Sequence, residues 1–263
     1  MKNLKQLLVA IFVLTLITSC DKDKNEPTEA LEKATISAKW IVNNSNEYKS
    51  FEFNESRNYI IVKDTTTKST NDQIIFFGTY EIIDSKTIVL SDFGTLTISE
   101  VNDNSINFSI QLTNNPNNEI IINASKQKEM DSSANTKLLC RTWKMVTIND
   151  TSVVGTDMEL TALFSAAGTY IISYTKPDEN SGGLAQWKWE NEAETQLLYS
   201  WDEVPIWDES DYVEISELTA KTLKVIEDGN TYVLQPTLNT KSAIIKTSKN
   251  LFSKTIKKGF LIK

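Results

Sequence analysis

The chain has 263 residues, of which 40% are hydrophobic and 24% charged, and its formal net charge is −8. This composition is ordinary for a globular protein and excludes a low-complexity chain, while the acidic balance disfavours broad binding to nucleic acid. Histidine is absent, which excludes a Ser-His-Asp hydrolase and removes the commonest metal ligand, and we expect no cofactor.

Residues 1–19 follow the order of a secretory signal. Lys2 and Lys5 precede an apolar run of eleven residues from Leu7 to Ile17. A membrane-spanning helix needs roughly 18 or more apolar residues, so we interpret the run as a cleaved signal peptide and not as a permanent span. Losing its two lysines takes the formal net charge from −8 to −10.

The segment from Leu16 to Cys20 reads Leu-Ile-Thr-Ser-Cys. It resembles the lipobox of bacterial lipoproteins, in which the cysteine thiol is alkylated by diacylglycerol and the chain is cut just before it. The resemblance implies lipidation of Cys20 and a durable anchor of two or three acyl chains. The alternative is an ordinary secretory signal with an incidental cysteine.

Residues 20–33 predict a polar tether, because the charged stretch from Asp21 to Pro27 is too polar to bury. The same stretch resembles the Lys/Asp-rich export signal that sends some lipoproteins to the outer face of the outer membrane. We therefore expect a lipid-anchored outer-membrane protein, exposed at the cell surface if that signal operates.

The remainder reads as one unit used twice. Ile98-Ser99-Glu100-Val101 returns as Ile215-Ser216-Glu217-Leu218, 117 residues later. Earlier matches occur in the same order at offsets of 103 to 111: Trp40 with Trp143, Phe53 with Phe164, Tyr59 with Tyr170, and Gly78-Thr79-Tyr80 with Ala185-Gln186-Trp187. Common order favours a tandem duplication over two unrelated β domains.

Both halves contain period-two apolar segments bounded by Asn, Asp, Gly and Ser, which predict antiparallel β-strands. Short helical turns are expected only before each early tryptophan, at Glu29 to Lys33 and at Ser133 to Leu139. The absence of a sustained helical period between strands argues against a parallel sheet with crossover helices.

The second half, from Trp143 through Gly168-Thr169-Tyr170 to Ile215-Ser216-Glu217, resembles the lipocalin-like domain of bacterial lipoproteins. The first half shares the pattern but carries Ser56-Arg57-Asn58 before its tyrosine. The resemblance implies an all-β fold of two small up-and-down β-barrels. The expected domains are a barrel at 34–127, a linker at 128–137, a barrel at 138–237 and a basic tail at 238–263.

The segment from Glu190 to Glu217 holds ten carboxylates and no lysine or arginine. Tryptophans lie in and just before it, and the candidate ligand-binding residues are Trp187, Trp189, Trp201, Trp207, Asp208 and Asp211. Indole faces stack on sugars and carboxylates accept hydroxyl hydrogen bonds, which predicts sugar or peptide binding. Calcium binding is an alternative, although the EF-hand spacing is lacking. The third interpretation is a solvated acidic hairpin.

The tail from Leu238 to Lys263 has seven lysines and no acid. Its apolar residues recur at near-helical spacing, which predicts a basic amphipathic helix on anionic lipid or on the acidic second barrel. The alternative is a solvated extension that begins with a last strand at Ala243 to Lys246. Cys140, the only cysteine besides Cys20, is expected to be an idle thiol.

We expect a non-catalytic binding or accessory module for a small apolar ligand or a glycan. The alternative is a structural or partner-docking component of an envelope complex with no small ligand, and a carboxylate-based glycosidase ranks third. The expected partners are the membrane, through Cys20, and a glycan, lipid or envelope protein, with no nucleic acid. Large inward aromatic residues would favour docking, and small ones would favour a pocket inside the barrels.

Overall fold

The computed structural model describes residues 36–45, 47–65, 73–175, 182–202, 204–208, 212–238, 243–247 and 259–261. The signal peptide, Cys20, the tether and the helical turn predicted at Glu29 to Lys33 lie outside these residues. Among the described residues, no helix has the length and apolar character that crossing a membrane requires.

The first half folds into a closed antiparallel barrel, in which each strand pairs with the next and the last pairs with the first. Its strands are β1 (Ala38–Val42), β2 (Tyr48–Phe53), β3 (Asn58–Asp64), β4 (Gln73–Ile82), β5 (Thr87–Leu90), β6 (Gly94–Val101), β7 (Ser105–Leu112) and β8 (Asn115–Lys126). Alternation sets the inward face: in β7, Ile106, Phe108 and Ile110 are buried and their neighbours are not.

The second half closes in the same way through the pairing of its last strand with its first. Its strands are β9 (Thr142–Ile148), a short β10 (Thr151–Ser152), β11 (Leu160–Phe164), β12 (Thr169–Tyr174), β13 (Gly182–Trp189), β14 (Gln196–Ser200), β15 (Tyr212–Leu218), β16 (Leu223–Glu227) and β17 (Asn230–Pro236). Strand β10 pairs only with β9, so the closed barrel has eight strands. The predicted all-β architecture of two tandem barrels is confirmed.

A short helix, α1 (Ala134–Leu139), precedes the second barrel. The sequence predicts this turn, and it begins within the stretch assigned to the linker. Ser133 caps it, because its side chain accepts a hydrogen bond of 2.8 Å from the amide of Thr136. The helix ends where the chain turns into β9.

The two barrels repeat each other's hydrogen bonds. Trp40 donates its indole N–H to the carbonyl of Ile36 at 3.0 Å, and Trp143 donates to the carbonyl of Leu139 at 2.9 Å. Phe53 pairs with Tyr59 across one hairpin. In the second barrel the matching pair across the hairpin is Phe164 with Tyr170.

The repeated Ile-Ser-Glu segments carry the same β-bulge. The register shifts between Ile98 and Glu100 in the first barrel and between Ile215 and Glu217 in the second. The intervening serine hydroxyl donates to a carbonyl on the next strand at 3.1 Å and 3.2 Å, respectively. A bulge at one position of a fold is a specific feature, so its recurrence confirms the tandem repeat.

The turn before the repeated tyrosine has a left-handed residue in both barrels, and this residue is glycine only in the second. Gly168 has a φ of +80°, and the corresponding residue, Arg57, has a φ of +62°. The turn amides of Arg57 and Gly168 both donate at 3.1 Å, to Asn54 and Ser165. The first barrel thus holds a non-glycine residue in the left-handed region, at the position where the second barrel has the glycine of Gly168-Thr169-Tyr170.

The barrels pack directly on each other through outward-facing apolar side chains. Ile60 on β3 and Ile171 on β12 each follow an inward-facing tyrosine and therefore point out of their barrels. Both are nevertheless only 2% exposed. They belong to one buried cluster with Ile75, Phe77, Leu163 and Ile245. Burial of both faces of these strands explains their continuous apolar runs.

The last strand, β18 (Ala243–Thr247), comes from the tail and joins the first barrel. It pairs antiparallel with the first half of β4, whose second half pairs with β5. Ile245 is fully buried in the cluster between the barrels. The alternative prediction of a strand at the start of the tail is confirmed, and this strand covers part of an edge that barrel closure leaves open.

Candidate functional site

Aromatic side chains fill the first barrel. The largest are at most 2% exposed: Trp40, Tyr48, Phe51, Phe53, Tyr59 and Phe108. Their rings contact one another, with centroids 5.1 Å apart for Phe51 and Phe108 and 5.4 Å apart for Tyr48 and Phe51. These positions are core, which is the interpretation that favours docking over a ligand inside the barrel.

The second barrel is filled in the same way. Trp143, Phe164, Tyr170 and Trp187 are at most 2% exposed. Phe164 stacks on Tyr170 at 4.7 Å and meets Trp187 edge-on at 5.8 Å. As in the first barrel, large aromatic side chains occupy the interior.

A cavity of about 650 Å³ lies between the two barrels, and we call it the interbarrel cleft. The first barrel contributes Glu52, Asn54 and Glu55, and the second contributes Arg141, Thr142 and Ser165. The connecting segment adds Glu129, Met130 and Lys137. This volume lies within the range of roughly 300 to 1,000 Å³ that is typical of small-molecule sites.

Hydrogen bonds beside the cleft connect the two barrels. Thr169 donates its hydroxyl to the Glu52 carboxylate at 2.6 Å and accepts a hydrogen bond from Lys39 at 3.1 Å. The connecting segment binds the turn before β12, because the Gln127 side chain and the Met130 amide each donate at 2.9 Å to its carbonyls. Glu52 is only 3% exposed, so its carboxylate depends on these protein partners.

Burial raises the pKa of two titratable groups that line the cleft. Burial raises the pKa of the Glu129 carboxyl, against the opposing effect of Lys126. Burial, with Glu52 and Glu129 nearby, raises the pKa of the Cys140 thiol to about 12. A thiol with that pKa stays protonated at neutral pH, which disfavours Cys140 as a nucleophile.

One wall residue of the cleft has an unpaired polar atom. The hydroxyl oxygen of Thr142 is buried without a hydrogen-bond partner, and the residue is 4% exposed. Most buried hydroxyls in proteins are paired, so this hydroxyl is an exception among the described residues.

The four predicted tryptophans do not share one surface. Trp187 lies in the core and donates to the carbonyl of Ser165 at 3.0 Å. Trp189, 5.4 Å from it, donates to the hydroxyl of Thr136 at 2.9 Å and ties the barrel to α1. Their strand positions therefore serve packing.

The other two tryptophans lie on the long connection between β14 and β15. Trp201 packs 5.6 Å from Tyr170, over Gly183, where an added Cβ would come within 2.6 Å of the indole. Trp207 is half-buried beneath the ammonium of Lys188, which lies 4.9 Å from its ring centroid. Sugar stacking by Trp207 stays a prediction.

The remaining predicted ligand-binding residues are two acids. Asp208 is exposed near Trp207 in the chain, and Asp211 lies outside the described residues. Within the described part of the chain, no group of three or more acidic, cysteine or histidine side chains is arranged to hold a metal ion.

The cleft itself is not predicted from the sequence. Glu52 and Thr169 are 117 positions apart, and neither belongs to a motif that suggests binding. No protein-family model matches the chain, and no curated protein is significantly similar to it.

Proposed function

We propose that the chain is an exported, lipid-anchored binding module without catalytic activity, and that it takes a glycan in the interbarrel cleft. The observation that carries the proposal is the cleft of about 650 Å³ between two barrels whose interiors are filled by side chains of the chain itself. We therefore place the glycan between the barrels.

The lining of the cleft favours a polar ligand over an apolar one. Carboxylates of Glu55 and Glu129 can accept hydrogen bonds from sugar hydroxyls, and Arg141 and Lys137 can donate them. The aromatic walls, Phe53 and Phe164, are 2% and 1% exposed, so these two rings offer little surface to a lipid chain. A glycan matches this arrangement better than a fatty acid.

The anchor is proposed on the sequence of the first twenty residues. Cys20 takes the acyl chains, and the tether holds the barrels beside the outer membrane, where glycans are presented. Replacing Cys20 with Ala should abolish labelling with radioactive palmitate and release the protein from membranes. Continued lipid labelling of this variant would remove the anchor from the proposal.

The test of the cleft is a thermal-shift screen of residues 21–263 against glycans and lipids. We expect stabilisation by a glycan, and a dissociation constant at least ten-fold weaker for Arg141→Ala or Glu129→Ala. The matched control is Trp207→Ala, which changes an aromatic residue outside the cleft and should leave the affinity unchanged. The opposite pattern would transfer binding to the acidic segment.

The partner-docking role without a small ligand is the second candidate, and the filled barrel interiors favour it. It predicts that no glycan or lipid stabilises the protein in the same screen. A carboxylate-based glycosidase ranks third, because nothing in the described geometry selects a pair of acids. Release of a reducing sugar by the purified protein would reverse this order.

A further inference from the structure

Two tail residues, Phe260 and Leu261, are buried inside the second barrel. Phe260 is 1% exposed and Leu261 is fully buried, and both belong to the core of that barrel. The ring of Phe260 stacks on Tyr170 with centroids 4.7 Å apart, and it lies 5.3 Å from Tyr199. A segment that lies beyond the last barrel strand therefore completes the barrel interior.

The first barrel shows that this arrangement is not a requirement of the fold. The hydroxyl of Tyr59 donates at 2.6 Å to the carbonyl of Ser91, in the turn between β5 and β6, and Phe93 of that turn packs 6.2 Å from Tyr59. The repeat-related hydroxyl of Tyr170 donates at 2.6 Å to the carbonyl of Phe260. In the first barrel the tyrosine hydroxyl is paired by the barrel's own turn. In the second it is paired by a residue 90 positions away in the chain.

The contacts of Phe260 have the chemistry of peptide recognition. Its amide donates to both oxygens of the Glu227 carboxylate, at 2.8 Å and 2.9 Å, and its carbonyl accepts from Tyr170. Tyr199 orients the carboxylate by donating to it at 2.8 Å. The barrel thus contacts the ring, the N–H and the C=O of a single aromatic residue.

We propose that the second barrel carries a binding site for a peptide segment with an aromatic residue, and that residues 259–261 are its intramolecular occupant. The pocket formed by Phe164, Tyr170 and Tyr199 takes the ring. The Glu227 carboxylate and the Tyr170 hydroxyl take the main-chain groups, so the site selects a peptide over a plain hydrocarbon. Of the residues named for this site, only Phe164 also lines the interbarrel cleft, and the site does not depend on the ligand proposed there.

The test uses the full mature chain with Phe260→Ala, which vacates the ring pocket. The probe is a fluorescent peptide with the sequence of residues 256–263, Ile-Lys-Lys-Gly-Phe-Leu-Ile-Lys, and its control has Ala in place of Phe. By fluorescence anisotropy, we expect the variant to bind the Phe peptide at least ten-fold more tightly than the Ala peptide. The wild-type chain should bind the Phe peptide at least ten-fold more weakly than the variant.

A second substitution tests the main-chain contacts. Glu227→Gln in the Phe260→Ala background removes the charge that receives the amide, and binding of the Phe peptide should weaken at least five-fold. Equal binding of both peptides by a folded Phe260→Ala variant would overturn the proposal. Equal binding of the Phe peptide by wild type and variant would also overturn it, because the peptide would then bind elsewhere.

Hydrogen exchange of the wild-type chain keeps the proposal testable if Phe260→Ala does not fold. A replaceable occupant opens locally, so the Phe260 amide should exchange at least ten-fold faster than the amide of Val225 in β16, with no dependence on low urea concentrations. Exchange of both amides at one rate, with one urea dependence, would show that residues 259–261 are a permanent part of the core.

Discussion

The hydrogen bond between Thr169 and Glu52 offers the sharpest test of how the barrels are joined. Thr169→Val removes the hydroxyl and keeps the branched shape of the side chain. The Glu52 carboxylate, 3% exposed, then loses a donor at 2.6 Å, and Lys39 loses its acceptor. A hydrogen bond to a charged group contributes about 1.5–3 kcal/mol, so we expect destabilisation of that size.

The assay is urea unfolding of residues 21–263, followed by tryptophan fluorescence and fitted to as many transitions as the data contain. Thr161→Val on the neighbouring strand β11 is the matched control, because Thr161 is only half-buried, and we expect its effect to stay within about 0.5 kcal/mol. A loss for Thr169→Val no larger than the control would refute the idea that this bond couples the barrels.

Three further predictions concern the repeat and the cleft. Gly168→Ala should destabilise the chain by about 1–2 kcal/mol, because φ is +80° and the new Cβ would lie 3.1 Å from the Trp187 carbonyl oxygen. Arg57→Ala should leave the stability nearly unchanged, because Arg57 is a non-glycine residue that already occupies the left-handed region. Equal effects in urea unfolding would contradict this. Burial raises the pKa of Glu129, so its ionised form opposes folding. The free energy of unfolding of Glu129→Gln should therefore equal that of wild type at pH 4 and exceed it at pH 7. A stability difference that does not grow with pH would disagree. Cys140, with a pKa of about 12, should resist iodoacetamide at pH 8 until the protein is unfolded, and rapid labelling of the native chain would show an accessible thiolate.

The two candidate sites divide the molecule in a useful way. The interbarrel cleft is formed by both repeats and is lined by charged side chains, while the Phe260 site is formed by the second barrel alone and is mostly aromatic. Substitutions at Arg141 and at Glu227 should therefore affect different ligands. Distant substitutions act independently, so a double variant should lose affinity for each ligand to the same extent as the corresponding single variant.

Much of the fold is readable from the sequence because it rests on local patterns. Period-two alternation identifies strands, and the ordered matches from Trp40 with Trp143 to the two Ile-Ser-Glu segments identify the repeat. Both depend on the pleat, which points neighbouring side chains to opposite faces and places the same residue types at the same barrel positions. The structure agrees down to the two bulges.

The binding surfaces are less predictable because exposure is a tertiary property. Trp187 and Trp207 look alike in the sequence, yet one is core and the other is half-buried beneath Lys188. The continuous apolar runs around Ile60 and Ile171 indicate strands buried on both faces, but not what covers them. The sequence likewise predicts a tail that can dock on the second barrel without indicating that Phe260 enters its interior.

The sequence by itself determined the strand pattern, the duplication and the exclusion of histidine-dependent chemistry, since each follows from residue types and their order. Only the tertiary structure decided that both barrels are filled, that a cleft lies between them and that the tail supplies part of a barrel core. Those features depend on contacts between residues as far apart as Glu52 and Thr169, or Tyr170 and Phe260. Such contacts exist only once the chain has closed two barrels and packed them together.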